Sequence, residues 1–166
     1  ILLPDNKACL RLPGIDGKAK MSKSLNNCIY LADSADDVKK KIMSMFTDPN
    51  HLRVEDPGNV EGNPVFIYLD AFCQDEHFEK YLPEYKNLDE LKAHYTRGGL
   101  GDVKVKRFLN NVIQDELRPI RERRQEFAKD IPAVYRILEE GSRKAEAKAA
   151  QTLTEMKRAM KINYFE

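Results

Sequence analysis

The stretch that most restricts the fold begins just after Asp102 and continues to about Lys129. Val105, Phe108, Leu109, Val112, Ile113, Leu117 and Ile120 fall on one side at 100° per residue, which is the periodicity of an amphipathic helix. The opposite side reads Lys104, Arg107, Asn111, Gln114, Arg118 and Arg121, in alternating steps of three and four. Asp102 is placed to cap this helix. Pro119 removes one backbone donor, and since the pattern keeps its phase across it, the expectation is a kink near Asp115–Glu116 rather than a break. A helix of this length needs partners with apolar faces of their own, so the neighbouring segments are read first for helical period.

They have it from Asn63 onward. Asn63 caps, Pro64 occupies the first turn, and Val65, Phe66, Leu69 and Phe72 form a buried stripe. Asn87 is a second cap, with Glu90 three residues on; Leu88, Leu91 and Tyr95 face inward and Gly98-Gly99 ends the helix. After Asp130-Ile131-Pro132 a last helix begins. Val134, Ile137, Leu138, Ala145, Leu153, Met156 and Met160 mark its expected inner face, and Gly141 would let a neighbouring helix approach closely.

Upstream of Asn63 the pattern is mixed. Ala8–Leu12 and Leu25–Leu31 read as short strands. Ser34, with Asp37 three residues on, opens a helix to about Met45, striped by Val38, Ile42 and Met45 and flanked by Lys39, Lys40 and Lys41. Residues 47–62 are rich in turns and form a structured connector. The expected fold is therefore mainly α: an end-piece of an α/β domain over residues 1–46, a connector over 47–62, and a helical bundle over 63–166.

Between the two strand candidates lies the chemistry. Gly14-Ile15-Asp16-Gly17 leads into Lys18-Ala19-Lys20-Met21-Ser22-Lys23-Ser24, where three lysines and two serine hydroxyls crowd into seven residues. Glycines let a backbone take positive φ and lie close to a ligand, lysines bring compact mobile charge to phosphate oxygens, and hydroxyls with loop N–H groups complete a cradle. No Walker pattern is present. A solvated basic loop is the plainer alternative for such a segment.

The Lys20–Ser24 pentamer, preceded by Leu12-Pro13-Gly14-Ile15-Asp16-Gly17, resembles the second signature loop of class I aminoacyl-tRNA synthetases, in the form found in the tryptophanyl/tyrosyl branch. Thr47-Asp48-Pro49, Tyr95–Lys104 and Leu117–Arg124 resemble further stretches of the tryptophanyl family, in matching order. The resemblance implies a Rossmann-like catalytic domain ending near residue 46, followed by a helical tRNA-binding domain. It places Lys20 and Lys23 on the β- and γ-phosphates of ATP as the catalytic residues. Met21, Ser22 and Ser24 complete the ATP site, and Gly14, Asp16 and Gly17 support the loop. It further implies tryptophan and tRNA(Trp) as substrates, Mg2+ arriving with ATP rather than in a protein metal site, a homodimer of the full-length protein and a cytoplasmic setting. Bacterial tyrosyl enzymes append a different C-terminal module that is not seen here, which favours tryptophan over tyrosine. The family's first signature, His-x-Gly-His, is absent. With the opening at Ile1, this suggests a piece of a longer protein that is inactive alone.

Composition narrows the partners. The net charge is +1, so any contact with nucleic acid must come from local clustering, for which Lys104, Arg107, Arg118 and Arg121 are the candidates. A merely solvated helix face is the competing reading of those four. Cys9, Cys28 and Cys73 are odd in number and widely spaced, which suits free thiols. No run approaches the length of a membrane span. His51, His77 and His94 are expected on the surface or in turns, and Asp36-Asp37 and Asp75-Glu76 at helix starts. A non-catalytic helical tRNA-binding module that keeps the loop as a relic is the alternative function, and a tyrosyl relative the alternative specificity.

Overall fold

Ser34 accepts the Asp37 N–H at 3.1 Å and so starts the first helix, α1 (Ala35–Met43). A computed structural model describes residues 11–18 and 20–164, and among these every regular element is a helix. After α1 come α2 (Pro64–Phe72), α3 (Asp75–Tyr81), α4 (Leu88–Arg97), α5 (Asp102–Ala128) and α6 (Ile131–Ala159). Asn63 and Asn87 cap α2 and α4 by accepting from Val65 N and Glu90 N. Asp36 and Asp37 lie in the first turn of α1 and Asp75 and Glu76 in that of α3, where acids complement the helix dipole.

The core is shared by segments on both sides of the connector. Val38, Ile42 and Met45 pack in one cluster with Val65, Phe66, Tyr68 and Leu69 of α2, Leu91 and Tyr95 of α4, and Val105, Phe108, Leu109 and Val112 of α5. Full burial of each such aliphatic or aromatic side chain contributes about 1.5–3 kcal/mol. The chain divides into two compact units, the first reaching to Arg121 and the second beginning at Glu122. The connector is held to α4: Gly58 N donates to Tyr95 O at 3.0 Å and Gly99 N to Val54 O at 2.7 Å. Asp48 accepts from Asn50 N and Asn59 N, and these bonds hold its carboxyl below the usual range.

Several expectations change. Leu25–Leu31 is not a strand: Asn26 turns at φ 50°, Tyr30 and Asp33 close a second turn, and the only β pairing among the described residues is the isolated antiparallel bridge Pro13–Lys20. Most of the Ala8–Leu12 candidate lies outside the described residues, as does Cys9. Asp102 does not stand before its helix as a cap. It is the first residue of α5, and its carboxylate accepts from Tyr95 OH at 2.7 Å and pairs with His51 Nδ1 at 3.2 Å. His51 is a turn residue, yet its ring is buried, with Nε2 left without a partner.

In the second unit, α6 has no buried residue. Val134 is partly buried, but Ile137, Leu138, Leu153, Met156 and Met160 are all more than half exposed, so most of the expected inner face is not buried among the described residues. Nothing lies within 4 Å of a Cβ built on Gly141, which removes the expected close approach. No described helix is long and apolar enough to cross a membrane.

Candidate active-site loop

The loop is built around a side-chain amide. Gly17 N donates to Gly14 O at 3.0 Å, Gly17 takes φ +68°, and the resulting turn carries Asp16 inward. There Asn27, only 3% exposed, donates from Nδ2 to both Asp16 carboxylate oxygens at 3.3 and 3.2 Å and reaches Lys20 O at 3.4 Å. Its Oδ1 accepts the Ser22 N–H at 2.8 Å, and its own carbonyl accepts from Ile15 N at 2.8 Å. One carboxamide thus joins the turn before the loop to the loop itself, with donor and acceptor both engaged.

Both glycines are needed sterically. A Cβ on Gly14 would stand 2.2 Å from Asn27 Nδ2, and one on Gly17 would stand 2.9 Å from the Phe46 ring. Below, Phe46 N donates to Ile15 O at 2.8 Å and Tyr68 OH to Pro13 O at 2.8 Å, so the segment after α1 and α2 itself both hold the turn. Burial pushes the Tyr68 phenol far above its ordinary range, keeping it a donor.

On this frame Lys20 and Lys23 are exposed, and among the described residues neither ammonium has an ion-pair partner. The Ser22 and Ser24 hydroxyls lie 2.8 Å apart. Met21 differs: its side chain packs against the core and lines a mainly apolar cavity of about 230 Å3 with Tyr68, Phe72 and Leu117. Lys18, Lys20 and Arg11 line a shallow cleft of about 260 Å3 beside Pro13 and Ile67. Two free cations, two hydroxyls and backbone donors over a rigid base can take up a polyanion and the charge that grows on it. No cluster of His, Cys, Asp and Glu suited to a metal ion occurs among the described residues.

The four basic candidates of α5 separate. Lys104 pairs with Glu84 at 2.6 Å, and with Arg107, Arg53, Val54 and the buried His51 it lines an open cleft of about 680 Å3. Arg53 and Arg107 have no ion pair among the described residues. Arg118 pairs with Asp115 at 2.7 Å, while Arg121 donates to Gln114, whose own amide donates to Ala35 O at the start of α1. The face read as one basic stripe is therefore partly turned to protein. Sequence reading passed over Asn27, Arg53 and the buried Lys106.

The family model "tRNA synthetases class I (W and Y)" matches residues 3–118. The tryptophan–tRNA ligase of Clostridium longisporum is 63% identical over 155 residues, covering 93% of this chain and 43% of that protein. That of Streptococcus agalactiae serotype V is 58% identical over 164 residues, covering 99% of this chain and 46% of its own length. The chain thus spans less than half the length of the curated relatives it matches. Among solved structures, a tryptophanyl-tRNA synthetase from Campylobacter jejuni, complexed with ADP and tryptophan, superposes with a TM-score of 0.69 at 28% identity, covering 90% of this chain and 43% of that one. A tyrosyl-tRNA synthetase from Aeropyrum pernix gives 0.55 at 26% identity, with 78% and 37% covered.

Proposed function

Because the chain belongs to the class I tRNA synthetases of the tryptophan and tyrosine branch, we propose that it works within a tryptophan–tRNA ligase, supplying the phosphate-gripping loop and the helices that face tRNA. Residues 1–46 end the nucleotide-binding domain, 47–62 connect, and 63–166 form the tRNA-facing part. The whole protein activates tryptophan with ATP and passes it to tRNA(Trp). Tryptophan rather than tyrosine is favoured by the names of the relatives that match nearly the full chain.

In activation the tryptophan carboxylate attacks the α-phosphorus, the bond to the β-phosphate oxygen breaks, and pyrophosphate leaves with the growing charge. That chemistry needs positioned cations more than covalent help from the protein. Lys20 and Lys23 supply them, and Ser22, Ser24 and the loop backbone contribute donors. Mg2+ comes with ATP. The observation that carries this reading is the pair of ammoniums without ion-pair partners among the described residues, on a base tied down by Asn27. tRNA phosphates lie along the cleft of Arg53, Lys104 and Arg107, a sequence-independent contact sensitive to salt. The ligase acts as a cytoplasmic homodimer.

The test is titration of the chain with Mg·ATP and with inorganic triphosphate. Lys20→Ala and Lys23→Ala should each weaken binding by about one to two orders of magnitude, since a hydrogen bond to a charged group contributes roughly 1.5–3 kcal/mol. Unchanged affinity in the double variant would refute the assignment.

A further inference from the structure

Lys106 sits in the second turn of α5 and is 9% exposed. Its ammonium has no carboxylate partner among the described residues. It donates instead to two backbone carbonyls, Met45 O at 2.6 Å and Met43 O at 3.1 Å. Met43 ends α1, where the last carbonyls lack helical partners and carry the negative end of the dipole, and Met45 lies just beyond its C-cap Ser44. Burial lowers the lysine's affinity for its proton, with the charge of Asp102 opposing. A buried ammonium without a counter-ion is an expensive tether where a methionine would fill similar space.

What it tethers is the floor of the loop. Phe46, next to Met45, donates from N to Ile15 O at 2.8 Å, and its ring lies under Gly17. Ile15 N donates in turn to Asn27 O, and Asn27 holds Ser22 N and Asp16. A continuous run of hydrogen bonds and covalent links therefore joins α5 to the loop that carries Lys20 and Lys23. Two residues before Lys106, and one after it, Lys104 and Arg107 line the basic cleft.

We propose that Lys106 is a positioning residue for the polyphosphate loop, acting through Met45, Phe46 and Ile15 to set the base on which Lys20 and Lys23 stand. This rests on the reading of that loop as a polyphosphate site, and the two are tested separately. Amide hydrogen exchange is measured on the chain and on Lys106→Met and Lys106→Gln, alongside titration with inorganic triphosphate. Lys106→Met should speed exchange at Phe46, Ile15 and Ser22 while Leu109 and Tyr95 keep their protection. It should also weaken triphosphate binding roughly 2- to 30-fold, the range for residues that act on a site through others. Lys106→Gln, which keeps an uncharged NH2 donor group on a shorter stem, should fall between.

If Lys106→Met loosens all these amides alike, or leaves the loop amides and the affinity unchanged, the proposal is overturned. If neither variant folds, Lys106 is a folding residue, and the proposal is likewise overturned. If Lys20→Ala with Lys23→Ala leaves triphosphate binding intact, the loop reading fails instead, whatever the exchange pattern shows.

Discussion

Truncating Asn27 would strip the Ser22 N–H of its acceptor and remove two donations to Asp16 in one step. Leaving such a donor unmet in a part-buried site costs about 1–3 kcal/mol, so Asn27→Ala should lower unfolding stability by that amount in urea denaturation. Gly14→Ala drives a methyl group to 2.2 Å from Asn27 Nδ2, and overpacking of this kind costs about 1–3 kcal/mol. The two changes should not add. With the amide gone the two tightest clashes go and only Asp16 Oδ1, at 2.7 Å, stays close, so the double variant should lose less than the sum, read by a double-mutant cycle. Gly14, Asp16 and Gly17 were readable beforehand because turns constrain residue type. Asn27 was not, since in Asn26-Asn27 only the folded backbone decides which amide faces inward and which residue takes φ 50°. Lys106 was hidden for a related reason, because a lysine within an amphipathic repeat reads as solvent-facing until a neighbouring helix end is seen to receive it.

Among the elements, α5 and α6 illustrate opposite outcomes of one kind of pattern. Val105, Phe108, Leu109 and Val112 are buried where the periodicity put them. The stripe on α6 is equally periodic but has no buried residue, because period specifies a face and not its occupant. Gly141 follows from this: with open space about it, Gly141→Ala should stabilise the helix by about 0.8–1 kcal/mol, seen as a higher melting temperature or greater helicity by circular dichroism. Asp115 joins α3 to α5, accepting from Lys80 at 2.7 Å and Tyr81 OH at 2.5 Å while Arg118 pairs with its other oxygen. Lys80, then Tyr81, hold its carboxyl below the ordinary value of 3.8. In the unfolded chain the group therefore takes up its proton first as pH falls. Its stabilisation is complete well above 3.8 and fades as the pH drops through the lower folded value. Asp115→Asn should be less stable than the parent at pH 7, with the gap in melting temperature closing as the pH falls below 3.8 and through the lower folded value.

For the molecule as a whole, the loop and the basic cleft lie on one chain that spans 43–46% of the matched ligases. The purified 166-residue chain should accordingly bind inorganic triphosphate yet show no tryptophan-dependent exchange of labelled pyrophosphate into ATP. Exchange above background would overturn that expectation. The periodic stripes of α1, α2, α4 and α5 and the caps Ser34, Asn63 and Asn87 could be read from residue order, because each depends on neighbours within about four residues. Folding decided the rest: that Asp102 serves Tyr95 and His51, that the segment before the connector shares a core with α2, α4 and α5, and that Lys106 grips the end of α1. Each of these joins groups dozens of positions apart or picks one partner among several of equal chemistry, and local propensity carries no information about which backbone will arrive there.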